Sequence, residues 1–230
     1  MSAISPTASE PPAAFGTGQR LKLTELFLSI QGEADAVGWP TVFVRLTGCP
    51  LRCGYCDTAY AFQGGDWTTV QEVIERVTAF RVQRVCVTGG EPLAQKASLS
   101  LLAALCDAGF RVSLETSGAL DVGAVDSRVV KVMDLKTPGS GEMHRNRLEN
   151  LSLLNACDQI KFVICDRADY EWARGRVRDL TLDRLCTVLF SPGFETLAPN
   201  KLADWLLEDR LPVRLQIQLH KVLWGNARGR

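Results

Sequence analysis

Short apolar runs alternate with amphipathic segments along most of the chain. Apolar runs of strand length cover residues 23–29, 41–47, 84–88, 111–115, 129–133, 159–164, 185–190 and 213–219. Apolar residues at helical spacing predict helices over 69–81, 98–107, 168–178 and 202–207, and a helical segment over 147–155. Thr69 with Glu72 is a capping-box signature at the start of the first helix. Because strands that alternate with helices form parallel βαβ units, the pattern predicts an α/β fold, an incomplete (β/α) barrel of about six parallel strands.

Polar and glycine-rich residues follow these strands one after another. Such residues stand at 49–58, 89–92, 115–118, 134–136, 191–192 and 220–221. In barrels of this class the carboxyl ends of the strands meet on one rim, and that rim carries the chemistry. We therefore expect these segments to converge on a single mouth of the barrel.

Composition narrows the classes of function. The 230 residues, with a formal net charge of zero, fit one domain and give no basic excess for nucleic acid or an acidic membrane. No apolar run is long enough to span a bilayer. Residues 1–20, rich in Ala, Pro and Ser, are predicted to form a disordered extension before a domain over 21–230. Eight cysteines without a signal-peptide pattern favour a reducing cytoplasm over a secreted disulfide framework.

Three cysteines fall within eight residues. Cys49, Cys53 and Cys56 have the spacing C-x3-C-x2-C, and Tyr55 is an aromatic residue that can pack against a purine. Thiolates suit zinc and iron–sulfur clusters, but a structural zinc site takes four protein ligands and no fourth Cys or His is near. A [4Fe–4S] cluster held by three cysteines leaves one iron open to a substrate or cofactor. The alternative, three unrelated core cysteines, is disfavoured by the loop-forming glycines and proline around them.

This cysteine loop resembles the signature of radical S-adenosylmethionine (SAM) enzymes. The segment 89–92, Gly-Gly-Glu-Pro after a strand, resembles the motif by which those enzymes hold the amino group of the methionine part of SAM. Two glycines let a ligand approach the backbone closely, although Gly-Gly alone also marks an ordinary turn.

Further motifs resemble one radical SAM family, the 7-carboxy-7-deazaguanine synthases. They are Gln31-Gly32-Glu33, Arg45, Asp57-Thr58, and the segments 115–118, 134–136 and 218–221. The resemblance implies a partial barrel of the radical SAM type that converts 6-carboxy-5,6,7,8-tetrahydropterin to 7-carboxy-7-deazaguanine and ammonia through a 5′-deoxyadenosyl radical, in queuosine and 7-deazapurine biosynthesis. It also implies a reduced flavodoxin or similar electron donor and a homodimer, with no nucleic acid or membrane as partner.

The same resemblance implies roles residue by residue. Cys49, Cys53 and Cys56 would hold the cluster, and Thr58 would be a ligand of Mg²⁺. SAM contacts would fall on Tyr55, Gly90, Glu91, Ser117, Asp134, Lys136 and Ser191. Substrate contacts would fall on Ile30, Gln31, Gly32, Glu33, Arg45, Thr88 and His220. No catalytic side chain is assigned, since SAM carries the radical.

The chemistry of these residues fits the roles, although each has a simpler interpretation. Arg45 offers a planar fork for a carboxylate, and the alternative, a surface ion pair, suits an apolar strand poorly. Gln31 and Glu33 can read the donors and acceptors of a pterin ring, or form a polar turn. Thr58 is a hard oxygen ligand for Mg²⁺, or part of a helix cap. His220 is placed at the end of the last predicted strand, where a core or surface position is the alternative.

Two other functions share the cysteine loop. A radical SAM activase that generates a glycyl radical on a partner enzyme needs no pterin-reading residues. A zinc- or cluster-binding module without catalysis needs no polar motifs at successive strand ends. The remaining cysteines lack ligand spacing and are expected in the core or on helices, and one histidine is expected in a solvated loop: Cys86, Cys106, Cys157, Cys165, Cys186 and His144.

Overall fold

The computed structural model describes residues 18–230. The disordered extension expected over residues 1–20 lies outside the described residues apart from 18–20, and of these Arg20 already begins the first strand. Within the described part of the chain, no helix is both long and apolar enough to cross a membrane.

The described residues contain nine strands and five α-helices, together with short 3₁₀ turns. The strands are β1 (Arg20–Ile30), β2 (Pro40–Leu46), β3 (Asp66–Thr69), β4 (Arg84–Gly89), β5 (Arg111–Thr116), β6 (Val130–Asp134), β7 (Gln159–Ile164), β8 (Thr187–Pro192) and β9 (Arg214–Leu215). The helices are α1 (Val70–Ala79), α2 (Ala97–Asp107), α3 (Arg167–Asp179), α4 (Pro199–Asp209) and α5 (Leu219–Trp224). The helical segment expected over 147–155 is a 3₁₀ turn at Leu148–Leu153.

The strands form one sheet in the order β3-β1-β2-β4-β5-β6-β7-β8-β9. From β2 through β9 along this order all neighbours are parallel, whereas β1 pairs antiparallel with both β2 and β3. Helices α1 to α4 lie on connections between neighbouring parallel strands. The predicted α/β partial barrel is confirmed, and the antiparallel pairs of β1 are an addition that the apolar pattern did not reveal.

Alternation along the strands separates the core from the interior of the barrel. On β2, Val42, Val44 and Leu46 are buried in an apolar cluster with α1 and α2, while Phe43 and Arg45 line a cavity. A second apolar cluster joins α3 and α4 to β6, β7 and β8. Because successive side chains of a strand point to opposite faces, the helices cover one face and the other face is left for the site.

The first helix begins as its sequence predicts. The Thr69 hydroxyl accepts a hydrogen bond from the backbone of Glu72 at 3.2 Å, and the Glu72 carboxylate accepts one from the backbone of Thr69 at 2.7 Å. These two bonds satisfy N–H groups that a helix start leaves without partners, and Val73 and Val77 on the same helix are buried against the sheet.

The end of the chain departs from the prediction. The strand expected over 213–219 shrinks to the two residues of β9, and His220 lies on the short helix α5 and not at a strand end. The segment leaves the sheet because its polar groups bind elsewhere. The Gln216 side chain accepts a hydrogen bond from the Ala34 backbone at 2.5 Å, and the backbone of α5 donates to the Gly32 carbonyl at 3.0 Å. These tertiary contacts override the local strand preference.

Candidate active site

The polar segments that follow the strands meet, as expected, around one cavity at the carboxyl end of the parallel strands. Sixteen of the eighteen residues predicted for the site line it: Ile30, Gln31, Glu33, Arg45, Cys49, Cys53, Tyr55, Cys56, Thr58, Thr88, Gly90, Ser117, Asp134, Lys136, Ser191 and His220. The convergence follows from parallel strands whose carboxyl ends share an edge.

Two predicted residues, Gly32 and Glu91, lie behind the wall of the cavity. A Cβ on Gly32 would stand 2.0 Å from His220 Nδ1, so the absent side chain makes room for the histidine. Glu91 is fully buried, and its carboxylate accepts hydrogen bonds from the backbones of Leu93 at 3.0 Å and Ser117 at 2.7 Å. The Glu91 carboxylate therefore fixes Ser117 in the wall and is itself closed off from the cavity.

The cysteine loop is clamped between three other segments. Gly48 donates its backbone N–H to Ala61 at 2.8 Å and accepts at its carbonyl from Glu91 at 2.8 Å, and Gly54 donates to Ser140 at 3.0 Å. Backbone bonds of this kind hold a short loop in one conformation without using the side chains. The thiols are therefore left to face the cavity.

The three thiols fit a cluster better than a single ion. All eight cysteines of the chain are free, and Cys49, Cys53 and Cys56 are half-buried. Among residues 18–230 no three Cys, His, Asp or Glu side chains converge closely enough to hold one metal ion. In a [4Fe–4S] cluster each thiolate binds a different iron, so its ligands need not converge on one point. Burial raises the pKa of Cys49 and Cys53, so metal binding must displace their protons.

Beside the cysteines, two buried polar atoms have no partner among the described residues. They are the hydroxyl of Tyr55 and Oδ1 of Asp134, both in residues of the cavity wall. The other oxygen of Asp134 accepts from Lys136 Nζ at 2.8 Å. Burial lowers the pKa of Lys136, but Asp134, Tyr55 and Cys53 together outweigh burial and raise it, so the ammonium stays charged beside Asp134. A donor and an acceptor left open fit a hydroxyl-rich ligand such as the ribose of SAM.

Arg45 is held in place from one side. Its Nε donates to Glu25 Oε1 at 2.6 Å, and the same oxygen accepts from the Tyr60 hydroxyl at 2.7 Å. Burial lowers the pKa of Arg45, but Tyr60, Glu25 and Glu115 act against burial and the net effect raises it. Burial is also the main cause that raises the pKa of Tyr60 to about 12. The guanidinium is thus permanently charged, with its direction set by Glu25.

Carboxylate and amide side chains form another part of the cavity wall: Glu33, Glu115, Gln31 and Gln218. Glu115 accepts hydrogen bonds from Thr88 Oγ1 at 2.9 Å and Gln31 Nε2 at 3.4 Å. Burial, followed by the charge of Glu33, raises the pKa of Glu115. Glu33 binds Lys161 and accepts from Gln218 at its other oxygen. This wall offers both donors and acceptors to a planar polar ring.

Asp57, Thr58 and Lys221 form a cluster of polar side chains next to the cysteine loop. The Thr58 hydroxyl donates to Asp57 Oδ1 at 2.7 Å, and Lys221 Nζ is 3.5 Å from Asp57 Oδ2. Burial raises the pKa of Asp57, but the hydrogen bond from Thr58 and the charges of Lys221, Lys161 and Arg45 together outweigh burial, and the net pKa is lowered. Burial lowers the pKa of His220 despite nearby carboxylates, so the imidazole is neutral at neutral pH.

Four charged residues that line the cavity had no predicted role: Asp57, Glu115, Lys161 and Arg230. Lys161 carried the same signal as Arg45, a lone cation in an apolar run, and that signal was available in the sequence. Of the five cysteines expected in the core or on helices, Cys86 and Cys186 are buried and Cys106 lies on α2. The expectation is wrong for Cys157, which is exposed in a turn, and for Cys165, which lies half-buried between β7 and α3. None of the five remaining cysteines lines the cavity, and neither does His144.

Comparisons of the sequence and of the structure with known proteins agree with one another. Residues 43–134 match the family model described as the radical SAM superfamily. The 7-carboxy-7-deazaguanine synthase of Chlorobaculum tepidum is 47% identical over 213 residues, covering 91% of this chain and 97% of that protein. The synthase of Koribacter versatilis is 42% identical over 219 residues, covering 89% and 97%. The crystal structure of QueE from Escherichia coli superimposes with a TM-score of 0.74 at 22% identity, covering 92% of this chain and 100% of that chain, which supports the fold.

These similarities decide between the interpretations that the cysteine loop left open. This chain matches nearly the whole length of proteins that are named 7-carboxy-7-deazaguanine synthases. The match therefore favours the synthase over the activase and over a module without catalysis. A radical SAM protein uses a [4Fe–4S] cluster and SAM, the two groups that the three thiols and the adjoining wall fit. The chain therefore belongs to the 7-carboxy-7-deazaguanine synthase family of radical SAM enzymes.

Proposed function

We propose that the protein converts 6-carboxy-5,6,7,8-tetrahydropterin to 7-carboxy-7-deazaguanine and ammonia, a carbon–nitrogen lyase step in queuosine and other 7-deazapurine biosynthesis. The observation that carries the proposal is a three-cysteine loop that shares one cavity with a buried guanidinium and an amide- and carboxylate-rich wall. When bound, the cluster and SAM supply the radical chemistry, and the chain supplies binding and orientation.

Arg45 is the proposed ligand of the substrate carboxylate. Glu25 occupies the Nε side of the guanidinium at 2.6 Å, which leaves the two terminal nitrogens for a ligand. A paired contact between guanidinium and carboxylate fixes direction as well as affinity. Arg45 would thus orient the substrate ring relative to the cysteine loop on the same cavity.

The ring of the substrate would lie against the part of the cavity wall that the end of β1 and the loop after it form. Gln31 and Glu33 offer an amide and a carboxylate, and Thr88 a hydroxyl, to the ring's N–H and carbonyl groups. Ile30 adds an apolar contact. His220 has one donor and one acceptor nitrogen, since burial keeps it neutral. Gly32 would contribute indirectly, because it leaves room for His220.

SAM would occupy the part of the cavity that lies between the cysteine loop and β8. The proposed contacts come from Tyr55, Gly90, Ser117, Asp134, Lys136 and Ser191. Glu91 would act indirectly, because its buried carboxylate holds the Ser117 backbone at 2.7 Å. The unpartnered oxygen of Asp134 supports this placement, since it is an acceptor that a ribose hydroxyl would satisfy.

A magnesium ion is proposed at Thr58. Mg²⁺ takes oxygen ligands and keeps several waters or substrate oxygens, so one protein hydroxyl beside the carboxylate of Asp57 suits it. The ion would orient the substrate and stabilise negative charge that develops on it. Turnover should then depend on added Mg²⁺ in the wild type.

The setting of the enzyme is proposed from the family resemblance. A reduced flavodoxin or similar protein would deliver electrons, and the active form would be a homodimer in the cytoplasm. Eight unpaired cysteines support a reducing compartment. Light scattering on the purified protein would test the dimer.

The decisive experiment is analysis of products by mass. The protein is reconstituted anaerobically with iron and sulfide and incubated with dithionite, SAM, Mg²⁺ and 6-carboxytetrahydropterin. We expect 7-carboxy-7-deazaguanine to accumulate while SAM is regenerated. Failure to cleave SAM with dithionite, with or without the substrate, would exclude radical SAM chemistry. Cleavage that is unaffected by the tetrahydropterin, with no new product, would exclude only the synthase.

A further inference from the structure

Lys161 is a charged residue in the middle of an apolar strand. Its neighbours on β7, Ile160 and Phe162, are fully buried, and its own side chain is 14% exposed. Its Cα pairs with that of Asp134 on β6, at the level of the cavity. A buried ammonium is costly unless anions and hydrogen bonds compensate it, so the residue calls for a specific role.

Three carboxylates surround this ammonium. Lys161 binds Glu33 directly, and Asp134 and Glu115 are the anions that act on it most strongly after Glu33. Burial lowers the pKa of Lys161, but these three charges outweigh burial and raise it, so the side chain stays protonated. Asp134 has a partner of its own in Lys136 at 2.8 Å. Lys161 is therefore the cation that pairs with Glu33, and together with Arg45 it offsets the charge of Glu115 in the same wall.

Glu33 is held at both of its oxygens. Lys161 binds Oε2, and Gln218 Nε2 donates to Oε1 at 2.7 Å. Each carboxylate oxygen has two lone-pair sites, so each keeps one for a ligand. Because Glu33, Lys161 and Gln218 all line the cavity, a ligand there meets a carboxylate whose orientation is already set.

We propose that Lys161 is a positioning residue for the substrate, which holds the Glu33 carboxylate in the orientation that accepts hydrogen bonds from the N–H groups of the substrate ring. The inference rests on the proposed function, since it takes a nitrogen-rich ring as the ligand. Lys161 acts through Glu33, because its own ammonium is engaged by the surrounding carboxylates.

Lys161→Met tests this role, since Met keeps the unbranched chain and removes the charge. In the reconstituted enzyme we expect KM for 6-carboxytetrahydropterin to rise about tenfold or more, with kcat changed much less. Binding of 6-carboxypterin, a stable analogue of the substrate, to the enzyme with SAM should weaken by the same factor in a fluorescence titration. Lys161→Arg, which retains the positive charge, should recover most of the affinity.

Lys131→Met is the matched control. Lys131 lies on the neighbouring strand β6 and pairs with Asp158 at 3.0 Å, with both side chains almost fully buried. Neither residue lines the cavity. Loss of this ion pair should lower the melting temperature but leave KM for the substrate unchanged. A general effect of removing a buried lysine would therefore appear in both variants, and a positioning effect only at Lys161.

A double-mutant cycle with Glu33→Gln decides whether Lys161 acts through Glu33. We expect the KM of the double variant to match that of Glu33→Gln alone, since the lysine then has nothing to hold. Additive effects would overturn the inference, and so would an unchanged KM in Lys161→Met. If Lys161→Met fails to fold, the same cycle with Lys161→Arg and Lys161→Gln gives the answer. Absence of turnover in the wild type would instead mark a failure of the proposed function.

Discussion

Replacing Gly90 with alanine tests the contact between the end of β4 and the cysteine loop. A Cβ at Gly90 would stand 2.3 Å from the carbonyl oxygen of Gly48 and 2.8 Å from Cβ of Cys49. Both neighbours belong to the loop, and the first is backbone, so it cannot turn aside as the end of a flexible side chain would. Gly90 also donates its N–H to the Leu46 carbonyl at 3.1 Å, which holds it against β2.

The size of the effect follows from this distance. The loop would have to retreat by about 1.1 Å to restore an ordinary contact of 3.4 Å with the Gly48 oxygen. Overpacking of this kind costs about 1–3 kcal/mol, which corresponds to a fall of about 2–12 °C in melting temperature for a chain of this length. A displacement of about 1 Å in a reacting group lowers a rate by about 100-fold. We therefore expect Gly90→Ala to fold with reduced stability and to lose most of its SAM cleavage.

The assay measures three quantities on anaerobically reconstituted protein: iron and sulfide per chain, the melting temperature, and the rate of 5′-deoxyadenosine formation with dithionite. Gly175→Ala is the control, because a Cβ at Gly175 on α3 would meet nothing within 4 Å. That substitution should leave the rate unchanged and raise stability by up to about 1 kcal/mol, the helix preference of alanine. If Gly90→Ala keeps a full cluster and a rate within about threefold of wild type, the reasoning on this contact is refuted.

Three further substitutions test other parts of the site. Arg45→Lys removes the planar fork, so KM for the substrate should rise about 10- to 100-fold; equal KM values would show that Arg45 does not bind the carboxylate. Gly32→Ala places a Cβ 2.0 Å from His220 Nδ1 and 2.9 Å from the His220 backbone nitrogen, so α5 must move. KM should rise about tenfold while SAM cleavage without substrate persists, and loss of both would contradict a role limited to the substrate. Glu115→Gln tests the buried carboxyl, whose pKa is raised above its usual 4.5. A raised pKa means that ionisation destabilises the fold as pH rises through it, so the variant should melt above wild type at neutral pH. The gain should vanish below about pH 4.5, and thermal scans that show a gain independent of pH would contradict this assignment.

Local pattern was sufficient for most of the strands and for the motifs that follow them, but it missed β3 and wrongly extended β9. Apolar alternation depends on which face of each strand is buried, and that face is encoded within a few residues. The cysteine loop, the Gly-Gly-Glu-Pro segment and Arg45 stand out for the same reason, since each interrupts a strand or an apolar run with residues that suit a ligand. The parallel order of the strands then brings their ends together without further information.

Contacts between distant segments were decided only in the folded chain. Lys161 meets Glu33 across 128 positions, and Gln218 meets Glu33 across 185, so no local pattern pairs them. The alternation over 213–219 predicted a strand, but β9 ends at Leu215, and a hydrogen bond to the loop at Gly32 anchors the start of α5, which brings His220 to the cavity. The sequence by itself determined the layers, the strand ends and the chemistry they carry. The tertiary structure decided which of those groups face a ligand and which only hold another in place, because that depends on packing between parts of the chain that are far apart in sequence.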